Sequence, residues 1–281
     1  MKLSRFTRGG LAAFAGLVVL FLLGPLFVIV LFAFDKSNVQ SLPIRQWTTH
    51  WFAVAFDDPQ VRSALWLSVK AGLAATVIAM ILGTLVAFGI HRFRFFGRDT
   101  VSLLLVLPIA LPGIVTGLAL QSAFSISHIE LSIYTIIIGH STFCMVVVFN
   151  NVIARLRRTS TSLIEASADL GARPLQTFRL VTVPMLSTAL IAGALLAFAL
   201  SFDEVIVTTF TAGAQNTLPL WIFGAILRGQ QLPEVNAVVV GVLLLTALPV
   251  AYAAKIASGD STEVLGRARD PKQTPAGEGL A

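Results

Sequence analysis

The chain has 281 residues, of which 56% are hydrophobic and only 12% charged, with a mean hydropathy of +0.84. Soluble domains carry about 25% charged residues, so this composition excludes one and indicates an integral membrane protein. The net charge of +6 does not point to nucleic acid: lysines and arginines sit at the ends of apolar runs and form no stripe with interleaved aromatics.

Apolar runs of about twenty residues, enough to cross a bilayer, fall near 11–34, 65–90, 101–125, 131–153, 187–208 and 236–258. The expected fold class is therefore an all-α membrane protein with six transmembrane helices across 11–258. Residues 1–10 form a short N-terminal segment. Residues 259–281 mix Gly, Ser, Asp, Pro and Lys without apolar periodicity and read as a disordered tail. The first run is too long for a signal peptide and no small-x-small cleavage site follows it. It counts as a membrane helix, interrupted at Gly24-Pro25.

Orientation follows from lysine and arginine counts. Three lie in the N-terminus, three in 91–100, five in 154–186 and four from Lys255 onward, which makes fifteen on one side. The other side holds three in 35–64 and Arg228, with Lys70 near the outer end of the second run, four or five in all. Both termini and the 154–186 segment are expected in the cytoplasm.

The third run contains Pro108, Pro112 and Gly113, which remove or weaken backbone hydrogen bonds at membrane depth. Irregular backbone there survives only where protein covers it or water solvates it, so these residues either kink the helix against a neighbour or line a pathway. The fourth run carries His140, which is either satisfied between helices or part of the pathway. Cys144 is the single cysteine and forms no intrachain disulfide.

Residues 154–186 are a polar island between apolar runs. Ser162 and Glu165 have capping-box spacing, Gly171 stands where a helix C′ residue takes a left-handed backbone, and Pro174 suits a first helical turn. Pro184 is expected to end that second helix before the next span. The prediction is a helix, a sharp turn and a second short helix.

The fifth run ends at Asp203-Glu204. At ~1.5 Å per residue, Asp203 lies roughly 24 Å along from residue 187, in the outer half of a bilayer, where two acids are costly and call for partners. One of them is expected to face a cavity and the other a neighbouring helix. Segment 209–235 is too short to span, and its Trp221 suggests an interfacial helix near an outer gate.

There is no G-x-x-x-x-G-K-[ST] loop, no His/Cys set with metal spacing and no Ser or Cys nucleophile with a matching His and Asp. The chain is not expected to be an enzyme or to carry a cofactor or metal of its own.

The island resembles the EAA loop of permease subunits in binding-protein-dependent ABC importers. The match is Glu165-Ala166-Ser167, Gly171 after three residues, and Val181-Thr-Val183-Pro184 after nine more. Ser167 replaces the second alanine of the pattern, and Val181 and Val183 replace Ile and Leu. The resemblance implies a type I importer-like permease domain of a bacterial inner membrane. Its cytoplasmic coupling loop (154–186, between helices 4 and 5) would dock on a dimer of ATPase subunits through Glu165, Ala166, Ser167, Gly171, Arg173 and Pro184.

The resemblance further implies that ATP is bound by that partner, that a second permease completes the pathway as a heterodimer, and that a periplasmic solute-binding protein delivers the cargo. The stretches 201–210 and 217–220, with Pro233-Glu-Val-Asn236-Ala237 and His140-Ser-Thr-Phe-Cys144, resemble spermidine/putrescine-type permeases. A polyamine cargo is thereby implied, with opines or other amino compounds as alternatives, and Asp203, Glu204, His140, Pro108, Pro112 and Trp221 as pathway candidates. An ion-gradient-driven transporter or channel is the other class considered; scarce intramembrane charge pairs and the lack of inverted repeats count against it.

Overall fold

The computed structural model describes residues 4–160, 162–229 and 232–246. In chain order the helices are α1 (Arg5–Ala33), α2 (His50–Asp57), α3 (Pro59–Arg92), α4 (Arg98–Ala110), α5 (Gly113–Ile126), α6 (Ile133–Arg158), α7 (Ser162–Asp169), α8 (Pro174–Thr177), α9 (Val183–Phe202), α10 (Ile206–Thr211) and α11 (Leu218–Arg228). A further apolar helix, α12, covers Leu232–Thr246. Four helical stretches among the described residues are long and apolar enough to span, and α4 with α5 adds a fifth if a bent pair counts as one. The expected sixth span at 236–258 is described only through residue 246, and the 259–281 tail lies outside the described residues.

The chain divides into two compact units, residues 57–230 and the segments 1–56 with 231–281. In the second, α1 starts on Ser4, whose hydroxyl accepts the Thr7 amide. It runs unbroken through Pro25, so the interruption expected at Gly24-Pro25 does not occur. Its apolar window is unburied, as suits a helix whose solvent is lipid. After it, the Trp51 indole N–H donates to the Asp35 carbonyl at 2.8 Å, and Phe34 stacks on Phe52.

In the 57–230 unit, α6 is the axis. Its most apolar stretch is 61% buried, against 33% for α3 and 17% for the stretch ending in α9. Between helices in lipid no hydrophobic pressure operates, and close backbone approach supplies the attraction. The sequence of α3 provides it: the residues it buries are Val61, Ala64, Ser68, Ala71, Gly72, Ala75, Thr76, Ala79, Gly83, Ala87 and Ile90, small apart from the two ends and spaced by three and four. At Gly83 an added Cβ would stand 2.8 Å from the Met145 carbonyl oxygen and 3.0 Å from Val148 Cβ.

The third run is not one straight helix. α4 passes through Pro108 intact and ends at Ala110, Leu111 and Pro112 are extended, and α5 leaves at 103° to α4. Only Pro112 breaks the ladder. Pro108 is half-buried in the last turn of α4, between the exposed Leu107 and Ile109.

The α3–α6 contact can be tested directly. Gly83→Ala should destabilise the protein by about 1–3 kcal/mol through overpacking. Gly89→Ala, where an added Cβ meets nothing within 4 Å, should be neutral or slightly stabilising. The thermal unfolding midpoints of the two variants in detergent decide it.

Candidate functional site

The island folds as expected in its turn and differently at its two ends. Gly171 has φ +77°; its amide donates to Ala168 O at 2.8 Å, and the Ala172 amide donates to Ser167 O at 3.0 Å. These paired bonds cap the last carbonyls of α7 with a left-handed residue. The expected Ser162–Glu165 box is absent. The Ser162 amide instead donates to Ser160 Oγ at 3.2 Å, so the cap falls two residues earlier and the Glu165 carboxylate stays exposed.

Pro174 opens α8 as predicted, and the Arg173 amide donates to Gln176 Oε1 at 2.8 Å. Pro184 does not end the second helix. A π-helical turn at Phe178–Thr182 carries α8 into α9, giving one helical stretch over Pro174–Phe202. The Val183 amide reaches back five residues to Phe178 O; this wider turn gives the proline ring room beside the carbonyls before it.

Ser167, the departure from the usual alanine, links the two arms. Its Oγ lies 2.9 Å from Thr177 Oγ1 and 2.8 Å from Ile164 O. Glu165, Ala166 and Arg173 are exposed, as are Leu163, Leu170, Leu175 and Leu180. Leu170 at 89% and Leu175 at 76% flank the turn, so the hairpin presents leucines beside a carboxylate and a guanidinium. The sequence reading missed two anchors here. Thr177 joins the arms, and Arg155 Nε donates to Met185 O at 3.1 Å, pinning the end of α6 to α9.

The pathway candidates separate into different roles. His140 is 1% exposed and enclosed between α6, α9 and α10. The Thr208 hydroxyl donates its only proton to Glu204 O at 2.7 Å. It must therefore accept from His140 Nε2–H at 2.9 Å, which leaves Nδ1 to accept the Ser201 hydroxyl at 2.7 Å. Both ring nitrogens are used, so His140 is a satisfied joint between helices rather than a free pathway group. Ser201 and Thr208 were not singled out from sequence, since nothing local marks them as its partners.

Glu204 needs no basic partner. Its Oε1 accepts the Val207 amide at 2.9 Å, capping α10. Asp203 closes α9 at its C-cap and is exposed. Because Ser201 and Thr208 flank the acids and both bond His140, the break at 203–205 lies at the level of α6 about 10 Å from its start and about 27 Å from its end. Gly113 packs on Ile206, 3.5 Å from an added Cβ, so the Pro112 break adjoins the break at the acids. Sequence alone could not bring these two interruptions side by side.

Trp221 lies elsewhere. It is 5% exposed on α11, whose first amide (Leu218) donates to Ser68 Oγ on α3 at 2.8 Å. It lines a cleft of about 610 Å³ with Trp66 and Lys70, and neither acid contributes to that cleft.

Comparison with known proteins matches residues 79–254 to the family described as "Binding-protein-dependent transport system inner membrane component". The chain is 35% identical over 225 residues to the putrescine transport system permease protein PotI of Escherichia coli K12, covering 77% of this chain and 79% of that protein. It is 29% identical over 262 residues to the spermidine/putrescine transport system permease protein PotC of the same strain, covering 93% and 97%. Among solved structures, a chain of a bacterial ABC transporter importing the acidic polysaccharide alginate has a TM-score of 0.68 at 18% identity, with 91% of this chain and 99% of that one covered. A chain of the MetNI methionine ABC transporter, inward facing, has a TM-score of 0.58 at 20% identity, with 71% and 95% covered. At these identities the two structures show the fold alone.

The role assigned to His140 has a measurable consequence. His140→Ala strands the Ser201 hydroxyl in an apolar interior, while Thr208 keeps its bond to Glu204 O. The stranded donor should cost about 1–3 kcal/mol, the lost ring volume adds to it, and the thermal midpoint of the purified protein should fall. Ser201→Ala, which leaves one ring bond in place, should cost less. Transport per folded molecule should fall little in Ser201→Ala, whereas a pathway role for the imidazole and its partners would lower it without loss of stability.

Proposed function

This chain belongs to the family of inner membrane components of binding-protein-dependent transport systems, and we propose that it is the membrane permease subunit of an ATP-driven importer of putrescine or spermidine. The observation that carries the energy-coupling half of this reading is the α7–α8 hairpin. It is short, tied internally at Ser167–Thr177, and shows leucines around Glu165 and Arg173. Apolar residues rimmed by charge on a polar hairpin suit a protein partner, and docking on a separate ATPase through Glu165, Ala166, Ser167, Gly171 and Arg173 explains them. Because α8 runs on into α9, a displacement of the hairpin is passed along a helical stretch of 29 residues, about 43 Å, to the break beside Asp203.

The chain works as a transport component and does no chemistry of its own. ATP is hydrolysed by the ATPase dimer, a periplasmic binding protein delivers cargo, and a second, different permease closes the pathway. Closure on nucleotide shifts the helices between inward-open and outward-open arrangements to the extent that each partner prefers one of them. The lysine and arginine distribution places the hairpin and both termini in the cytoplasm.

The polyamine assignment draws on the two Escherichia coli relatives and on charge. Asp203 is an exposed carboxylate at the C-terminus of α9. A helix C-terminus carries the negative end of the backbone dipole, so the end of α9 adds to the Asp203 charge in favouring a cation in transit. Glu204 supports the geometry by capping α10.

Two measurements test this. Co-purification should recover the ATPase with wild type and lose it with Gly171→Pro, because proline cannot adopt a positive φ. Retained ATPase binding and uptake in that variant would remove the docking role. Uptake of labelled putrescine should fall roughly tenfold in Asp203→Asn, about 1.4 kcal/mol. Glu204→Gln keeps an acceptor for the Val207 amide and should stay near wild type; equal losses in both would contradict the division of roles.

A further inference from the structure

The cleft that holds Trp221 lies at the end of the 57–230 unit away from the α7–α8 hairpin, since it is built on the first turns of α3, the start of α6 and the loop before α11. Its walls include Gln60, Trp66, Lys70, Gln215, Asn216 and Trp221. At about 610 Å³ it falls within the usual range for small-molecule sites.

Two features of this cleft bear on its occupant. The Lys70 ammonium stands 5.1 Å from the centroid of the Trp66 ring, so the indole face already takes an alkylammonium. Gln215 and Asn216 add amide groups to the wall. The remaining lining is amide, hydroxyl and apolar, with no carboxylate, and Lys70 is its only charged side chain.

We infer that this cleft receives a primary alkylammonium group of the cargo, and that Lys70 is a tethered competitor holding the Trp66 face until the cargo displaces it. The inference rests on the polyamine reading and adds to it an outer receiving site, separate from Asp203. Trp66 is 59% exposed and Trp221 5%, so the first offers an accessible ring and the second a fixed wall. A diamine would place one ammonium over Trp66 and its methylenes toward Trp221. Lys70 is exposed and swings into solvent on its four-carbon stem when the ring is taken, which removes a like charge from the site.

The competitor role makes a prediction of unusual sign: removing the lysine charge should tighten binding. The assembled transporter in lipid nanodiscs is titrated with putrescine and followed by tryptophan fluorescence, with labelled putrescine uptake measured on the same complexes. Lys70→Met should lower the half-saturating putrescine concentration roughly two- to thirty-fold, the range a cation–π contact supplies. Lys70→Arg keeps the cation and stacks at least as well on indole, so it should bind putrescine no more tightly than wild type. Trp66→Leu should weaken binding by a similar factor, with Trp221 still reporting. Unchanged or weaker binding in Lys70→Met, or unchanged binding in Trp66→Leu, overturns the inference. If the wild type imports putrescine while these variants all bind it alike, the receiving site fails and the polyamine reading stands; if the wild type imports no putrescine, both fail.

Discussion

The approach of α3 to α6 is the contact on which the 57–230 unit depends. Where the surrounding solvent is hydrocarbon, burying a leucine between two helices gains little over leaving it in lipid, and dense packing of backbones takes over. The small residues along α3 bring it close enough for Gly83 to meet the Met145 carbonyl, and α9 joins the same core through Leu186 and Ala197. Side chains that a soluble protein would bury instead face outward on α4, α5 and α9, which is the arrangement a bilayer favours.

The polar chemistry around His140 forms a closed set. Ser201, His140, Thr208 and the Glu204 carbonyl form a single chain of hydrogen bonds across α6, α9 and α10, and each proton in it has one destination. Thr135 Oγ1 adds a bond to Thr211 O at 2.7 Å, holding the far end of α10. Together these bonds hold α10 against α6 and keep the break at 203–205 open. Asp203 stays outside this network, which leaves one acid available while the other is structural.

At the opposite end the hairpin is fixed at its base and exposed at its turn, as the proposed docking role requires. The Gly171 turn, the Ser167–Thr177 bond, the Arg155 anchor and the edge-on contact of Phe88 with Phe178 fix its base. The π-helical turn lets the chain keep both a proline and helical continuity. Had Pro184 severed the helix, movement of the hairpin would be absorbed at a joint before reaching α9.

Much of this was readable in the residues themselves. Composition decided the solvent, run length decided the helices, and the spacing from Glu165 through Gly171 to Pro184 marked the hairpin, because hydropathy and left-handed turn geometry are local properties. Other readings failed for want of neighbours. Pro184 looked like a break because a proline's cost is local, while the π-helical turn that absorbs it is not; α1 likewise continues through Pro25. Ser162 looked like a cap because Ser160 offers the same chemistry two residues earlier. The partners of His140 and Glu204 could not be named from sequence, because they lie 61 residues away in the first case and on a backbone amide in the second. What the sequence by itself determined is that this chain lives in a membrane and offers a polar elbow on one side of it. Only the tertiary structure decided which buried polar groups are spent on holding helices together, because hydrogen-bond satisfaction depends on which atoms meet in space.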